Sequence, residues 1–329
     1  MLKNKKNAVI FSLIAMFLWG SAIPLIKSTY LVLDIKSYDT FAKVYVAGIR
    51  FFMAGILAFI YAKIFGKNKI SIKNVNIKLV ITLAILQTCL QYFFYYIGLS
   101  NTSGVKSSII QASNSFMIVI ISLFLVPEDK ISSNTIIALI IGTAGIILVN
   151  SNQKLGHGFK LTGEGFIFTS TFINALSSVL LRKYSKGSDP YLLNGMALLL
   201  GSLPLIIFGR ILWVNPVILS LKAFFMLFYG AFITATSFTI WTIVLQNHSA
   251  NQFGVFKLFI PIFGSLLSVI ILGEVFTLRL FMGLILVLTG SFVLMKGRNK
   301  KRRWLIFNYR LLKLVFLNCL SIYKYHLYI

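Results

Sequence analysis

Ten stretches of this chain are each long and apolar enough to cross a bilayer, and the joins between them are too short to fold on their own. The windows are 8–27, 44–65, 79–99, 105–126, 133–150, 163–182, 191–210, 222–245, 252–273 and 277–296. Crossing some 30 Å of hydrocarbon takes about 20 mostly apolar helical residues. The longest join, Ser28 to Lys43, has room for a surface helix but for no folded domain, so any activity has to sit among the helices. The expected fold is an all-α integral membrane protein of ten transmembrane helices.

Composition closes off the other classes. At 58% hydrophobic and 12% charged residues, too few polar side chains remain to cover a water-soluble surface. The net charge of +25 does not signal nucleic acid, because a nucleic-acid binder gathers its cations on a polar domain and none is present. The two cysteines, Cys89 in a span and Cys319 in the tail, suggest neither a disulfide framework nor a metal site, and no cofactor is expected. The start, MLKNKKNAVIFSLIAMFLWG, has the basic-then-apolar order of a signal peptide. It lacks a clear small-x-small cleavage site and stays apolar past Gly20, so it reads as an uncleaved first helix.

Two of the spans resemble each other. Residues 251–274 read NQFGVFKLFIPIFGSLLSVIILGE and residues 105–128 read VKSSIIQASNSFMIVIISLFLVPE. An offset of 146 residues sets Glu128 against Glu274, Ser122 against Ser268, Asn101 against Asn247 and Leu99 against Leu245. Identity is thin, but the order is shared: a polar loop, a helix polar first and aliphatic later, then a single glutamate. Two related halves follow, residues 8–150 and 163–297, joined through the loop around Ser151–Thr162 and followed by a basic, aromatic tail at 298–329. Five spans per half is an odd number, so the second half enters the membrane in the opposite sense and the repeat is inverted. Halves related in that way can rock about a site near the midplane. Loop Lys and Arg favour a cytoplasmic N-terminus: 18 then fall inside and nine outside, with Lys63, Lys67, Lys69, Lys73 and Lys78 the densest group. Both termini are expected in the cytoplasm, with the protein in the cell membrane.

Trp19-Gly20-Ser21 followed by Lys27, then Arg50-Phe51 opening the second span, then the glutamates after spans four and nine, make the sequence similar to the EamA family of the drug/metabolite transporter superfamily. The resemblance covers about residues 8–297. It implies a five-plus-five inverted-repeat carrier of small metabolites, often an exporter. Such sequences usually carry a proline within helices four and nine. Here Pro261 fills that place in the second half, and Ser115 stands opposite it in the first.

Side chains that could handle a solute are few. Lys257 is a cation inside a span, a position that suggests function. It lies five residues beyond Gln252, about 7.5 Å at the helical rise, so a stem reaching back to the interface and a head facing a cavity both remain open. Arg50, six residues into its span, is open between a cavity role and a bond to a helix end or headgroup. Gln87, Gln91 and Tyr95 form one stripe of the third helix, Ser107, Gln111 and Asn114 one of the fourth, and Ser170, Asn174 and Ser177 one of the sixth. Such amides either line a wet cavity or join packed helices. Trp19 and Trp241 are candidate gates, against core packing or an interface belt. All seven carboxylates sit in loops or at span ends, which disfavours a carboxylate proton relay and leaves exchange, facilitated diffusion or coupling through Glu164 at a mouth. Pro24, Pro204 and Pro261 are candidate hinges. The glycine pairs Gly142/Gly145 and Gly283/Gly290 suit close helix contact.

The expected partners are a small metabolite, such as an amino acid or another zwitterionic or anionic solute, and membrane lipid, with monomer and homodimer both open. The tail's first residues, GRNKKRR, suit lipid headgroups, and the rest suits an interfacial helix, an eleventh span or disorder. An enzyme is disfavoured: His157, His248 and His326 are scattered, and no phosphate-cradling glycine loop occurs. A channel, a non-transporting receptor and a lipid-translocating protein are the remaining rivals.

Overall fold

The computed structural model describes residues 4–36, 38–66, 75–102, 107, 110, 111, 113–126, 128, 131–150, 160–213, 220–272 and 278–296. Among them the chain is all helical. We number its helical segments α1 (Lys5–Val32), α2 (Thr40–Phe65), α3 (Ile77–Asn101), α4 (Asn114–Leu125), α5 (Ser133–Asn150), α6 (Leu161–Tyr184), α7 (Pro190–Leu212), α8 (Leu221–Asn247), α9 (250–272) and α10 (Leu278–Lys296). Seven of them are long and apolar enough to cross a membrane: α1, α2, α3, α6, α7, α8 and α9. Shorter apolar stretches lie in α4, α5 and α10. Large apolar side chains such as Phe124, Ile211 and Phe225 point outward, the arrangement of a protein whose solvent is lipid. The tail 298–329, the loop 151–159 and Glu274 lie outside the described residues.

Helix ends follow local chemistry. Asp189 caps α7 by accepting from the backbone N–H groups of Tyr191 and Leu192, with Pro190 at the first helical position, where a missing N–H is harmless. Asn76 and Ser220 cap α3 and α8 in the same manner. α1 ends in a left-handed residue, Asp34 at φ 51°. The N–H groups of Asp34 and Ile35 return to the carbonyls of Leu31 and Tyr30, closing the last turn. The surface helix that Ser28 to Lys43 had room for does not form, because α1 extends to Val32 and α2 starts at Thr40.

Among the described residues three helices depart from α geometry: α6 opens with a π-helical turn, Leu161–Gly165, and two further departures lie near the buried polar side chains. Residues Ala84–Leu90 of α3 are π-helical, and Gly254–Leu258 of α9 form a tight 3-10 stretch. The 3-10 stretch has a visible cause. Pro261 has no N–H to give the carbonyl of Lys257 four residues earlier, and the turn before it tightens until the Phe259 N–H bonds to Phe256 and Lys257.

Packing relates helices five places apart. α2 lies along α7, and α5 along α10. The other principal contacts come in matching pairs: α1 with α9 and α6 with α4, α1 with α8 and α6 with α3, α2 with α8 and α7 with α3. Glycines set the closest approaches. Gly48 sits at Ile206, Gly55 at Leu199, Gly195 at Phe59 and Gly209 at Tyr45, so numbers rise along α2 as they fall along α7 and the two run antiparallel. Gly145 against Gly283, Gly290 against Ala138, and Asn134 donating to the Val293 carbonyl at 3.0 Å make α5 and α10 antiparallel as well. The glycine pairs singled out in the sequence thus mark a close helix contact.

Gly201 of α7 meets the π-helical stretch of α3, where an added Cβ would lie 2.4 Å from the Ala84 carbonyl oxygen and 2.5 Å from Thr88 Cβ. Gly201→Val is expected to destabilise the protein by about 1–3 kcal/mol through overpacking, seen as a lower unfolding midpoint in detergent. Leu200→Val, on the outward face beside it, is expected to change stability by less than about 0.5 kcal/mol.

Candidate functional site

The polar side chains of α3, α4, α6 and α9 converge inside the bundle. Asn174 of α6 is the hub. Its Nδ2 donates to Gln91 Oε1 at 3.0 Å, and its Oδ1 accepts from Asn114 Nδ2 at 3.1 Å and from Lys257 Nζ. Asn114 Nδ2 also donates to the Thr171 carbonyl at 2.9 Å, and Lys257 Nζ to Ser178 Oγ at 2.9 Å. The backbone is tied in too, with Ser170 Oγ donating to the Gln91 carbonyl at 2.8 Å.

Lys257 is only 8% exposed, which decides between its two sequence-level roles: the head points into the bundle, not back to the interface. The 3-10 turn forced by Pro261 presents the side chain there. Its partners are an amide oxygen and a hydroxyl, with no carboxylate among the described residues, and its Nζ lies 5.2 Å from the centre of the Trp241 ring. A cation over an indole face gains from the ring quadrupole, but one buried without a counter-ion remains an unbalanced charge. Trp241 in turn packs edge-to-face on Trp19 at 6.2 Å, so both tryptophans close over the lysine side of the cluster. Two polar atoms of this cluster are buried without a partner among the described residues: Asn114 Oδ1 and Trp241 Nε1.

Other candidates stand apart. Gln87 is buried in the π-helical stretch. Gln111 is exposed, and its Nε2 donates to Ser107 Oγ at 3.0 Å. Tyr95 is half-buried, in an aromatic group with Tyr92 and Tyr96. Arg50 is buried at a separate cleft, its guanidinium 4.8 Å from the Phe51 ring. Glu164 lies in the turn opening α6, where Oε1 accepts from Thr102 Oγ1 at 2.7 Å and Oε2 from the Lys160 N–H at 2.8 Å. Pro24, Pro204 and Pro261 all lie inside helices.

Sequence reasoning did not single out Ser178, though it follows Asn174 by one helical turn. Nor did it find the role of Ser115, whose Oγ donates at 3.0 Å to the Gly254 carbonyl of α9. The position where the family pattern has a proline instead ties α4 to the other half. The 146-residue offset also sets Gln111 against Lys257 and Tyr95 against Trp241. The cation and its aromatic wall therefore have a neutral amide and a phenol at the related place.

Seven helices long and apolar enough to cross a membrane, with a buried polar cluster between helices, mark a multi-pass membrane protein, and the comparisons make it a transporter by class. The EamA-like transporter family is matched over residues 6–151 and again over 161–296, and the chain belongs to that family. It is 26% identical to an uncharacterized transporter of Archaeoglobus fulgidus over 89% of this chain and 100% of that protein. It is 25% identical to the uncharacterized transporter YetK of Bacillus subtilis over 89% of this chain and 88% of YetK. A WAT1-related chloroplastic protein of Arabidopsis thaliana is 26% identical over 84% of this chain and 66% of that protein. A solved crystal structure superposes with a TM-score of 0.73 at 16% identity, covering 88% of this chain and 96% of the other, which shows a shared fold. The family and the first two of these relatives are named as transporters rather than enzymes.

Because Asn174 serves three partners, Asn174→Ala leaves Gln91, Asn114 and Lys257 each short of one bond. A loss of about 2–4 kcal/mol is expected from thermal unfolding, against about 1–2 kcal/mol for Ser178→Ala, which removes one bond from Lys257 and the hydroxyl's own bond to the Asn174 carbonyl.

Proposed function

We propose that this protein is a ten-helix carrier of small zwitterionic or anionic metabolites such as amino acids, built as two inverted five-helix repeats of residues 8–150 and 163–297. The repeat is supported by the two family matches, by the contacts shared between helices five places apart, and by the antiparallel course of α2 with α7 and of α5 with α10. Cargo binds at the cluster around Asn174, with Trp19, Gln87, Tyr95 and Gln111 along its path. Access alternates as the halves rock, helped by the bends at Pro24, Pro204 and Pro261. The family resemblance favours export. Loop charge favours the cell membrane with both termini in the cytoplasm. Glu164, held at the start of α6, is the candidate coupling group.

One observation carries the choice of cargo: a buried ammonium with no carboxylate beside it, next to an unpartnered indole N–H and an unpartnered amide oxygen. A solute carboxylate supplies the missing counter-charge to Lys257 and an acceptor for Trp241, while a solute ammonium gives Asn114 Oδ1 the donor it lacks. A zwitterion meets both needs and an anion the first, whereas a lipophilic cation offers no carboxylate to Lys257.

The test is exchange in liposomes. Purified protein loaded with unlabelled amino acids is expected to take up labelled amino acids saturably, and Lys257→Gln to lower the initial rate at least about tenfold, as expected when a charge-assisted contact is lost. Uptake that is linear in concentration, or a variant that exchanges as fast as the parent, would overturn the assignment.

A further inference from the structure

Arg50 is 7% exposed, its Nε is buried without a hydrogen-bond partner, and no carboxylate pairs with it among the described residues. Its guanidinium lies 4.8 Å from the Phe51 ring of its own helix. An arginine carries five N–H donors in a rigid fork and stays charged in proteins, so it cannot escape burial by giving up its proton. Left alone inside a bundle it is an expensive side chain.

The surroundings accommodate it nonetheless. Arg50 lines a narrow cleft together with Thr29 and Tyr30 of α1, Tyr96 of α3 and Leu227 of α8. The stem fits because α8 has a glycine there: a Cβ on Gly230 would come within 2.8 Å of Arg50 Cδ. The head thus reaches a space edged by two tyrosines and a threonine.

This cleft is not the Lys257 site. Gly230 of α8 touches Arg50, whereas Trp241 of α8 faces Lys257. Eleven residues separate them, about 16 Å at the helical rise. The cleft lies toward the end of the bundle where α1 finishes and α8 begins, and Lys257 lies toward the other end.

We infer that the Arg50 cleft is a second oxyanion site, shaped for the carboxylate of a small solute. A carboxylate offers two parallel acceptors to the guanidinium fork, and the tyrosine hydroxyls can close around it. Carboxylates and lipid phosphates share this chemistry. Arg50 lies six residues inside the apolar span that opens at residue 44, about 9 Å along the helix, and lipid composition separates the two sources in the test. The site stands whether or not Lys257 handles cargo.

The test uses acetate as probe and a Lys257→Gln background, which removes the other cation. In nanodiscs of neutral phosphatidylcholine, acetate at constant ionic strength is expected to raise the unfolding midpoint of Lys257→Gln above that in matched chloride. Adding Arg50→Gln is expected to abolish the whole rise, and Gly230→Ala to reduce it by displacing the arginine. A Lys257→Gln protein that acetate leaves unmoved, or a rise that survives Arg50→Gln, overturns the site. Stabilisation by phosphatidylglycerol nanodiscs without any response to acetate makes it a headgroup site and overturns the solute assignment. If the double variant does not fold, phenylglyoxal labelling of Arg50 in Lys257→Gln, read by peptide mass spectrometry, decides the matter: acetate must protect Arg50 at concentrations where chloride does not.

Discussion

The polar cluster between α3, α4, α6 and α9 is organised around one unbalanced charge. Lys257 reaches Asn174 and Ser178 but no carboxylate among the described residues, so the cluster solvates a cation without neutralising it. Burying such a group costs several kcal/mol even with relaxation, and neutral partners recover only part of it. The hydrogen bonds around Asn174 limit that cost and hold Gln91, Asn114 and Lys257 in fixed relation. In the proposed carrier a bound carboxylate would supply the missing counter-charge, so that a stability deficit and an affinity share one residue.

That cluster can form only because the helices around it come close. Four glycine contacts between α2 and α7, and those between α5 and α10, bring backbones together where any side chain would collide. In lipid the hydrophobic effect contributes little to helix association, so close van der Waals contact and interhelical hydrogen bonds must do it. The long α2–α7 and α5–α10 seams carry the packing, and α3, α4, α6 and α9 are left to present polar groups inward.

Much of this was readable in advance for a simple reason. A carboxamide or ammonium in an apolar span must face protein or water, so Gln91, Asn114, Asn174 and Lys257 announce themselves by residue type alone. Helical spacing placed Gln91 and Asn174 on stripes but could not say that they meet, because the contact joins helices 83 residues apart in sequence. Snorkelling and inward readings of Lys257 were equal on length. The structure separates them through the 3-10 turn before Pro261, whose presence the proline explains but whose effect on the direction of Lys257 the residue pattern does not give. Ser178 and Ser115 went unnoticed because serine is common in spans and becomes informative only when its partner is known. The isolation of Arg50 was likewise invisible, since it consists of what the neighbouring helices do not supply.

The mismatch between Lys257 and Gln111, which occupy related places 146 residues apart, has an electrical consequence. Only one of the two positions is ionic. If the halves rock as proposed, that charge moves through part of the transmembrane potential, where a full crossing is worth about 2.3 kcal/mol per 100 mV. An imposed voltage then biases which side the protein faces unless the cargo's own charge cancels it. The dependence of exchange on membrane potential, measured with cargoes of different net charge, reads out that cancellation directly.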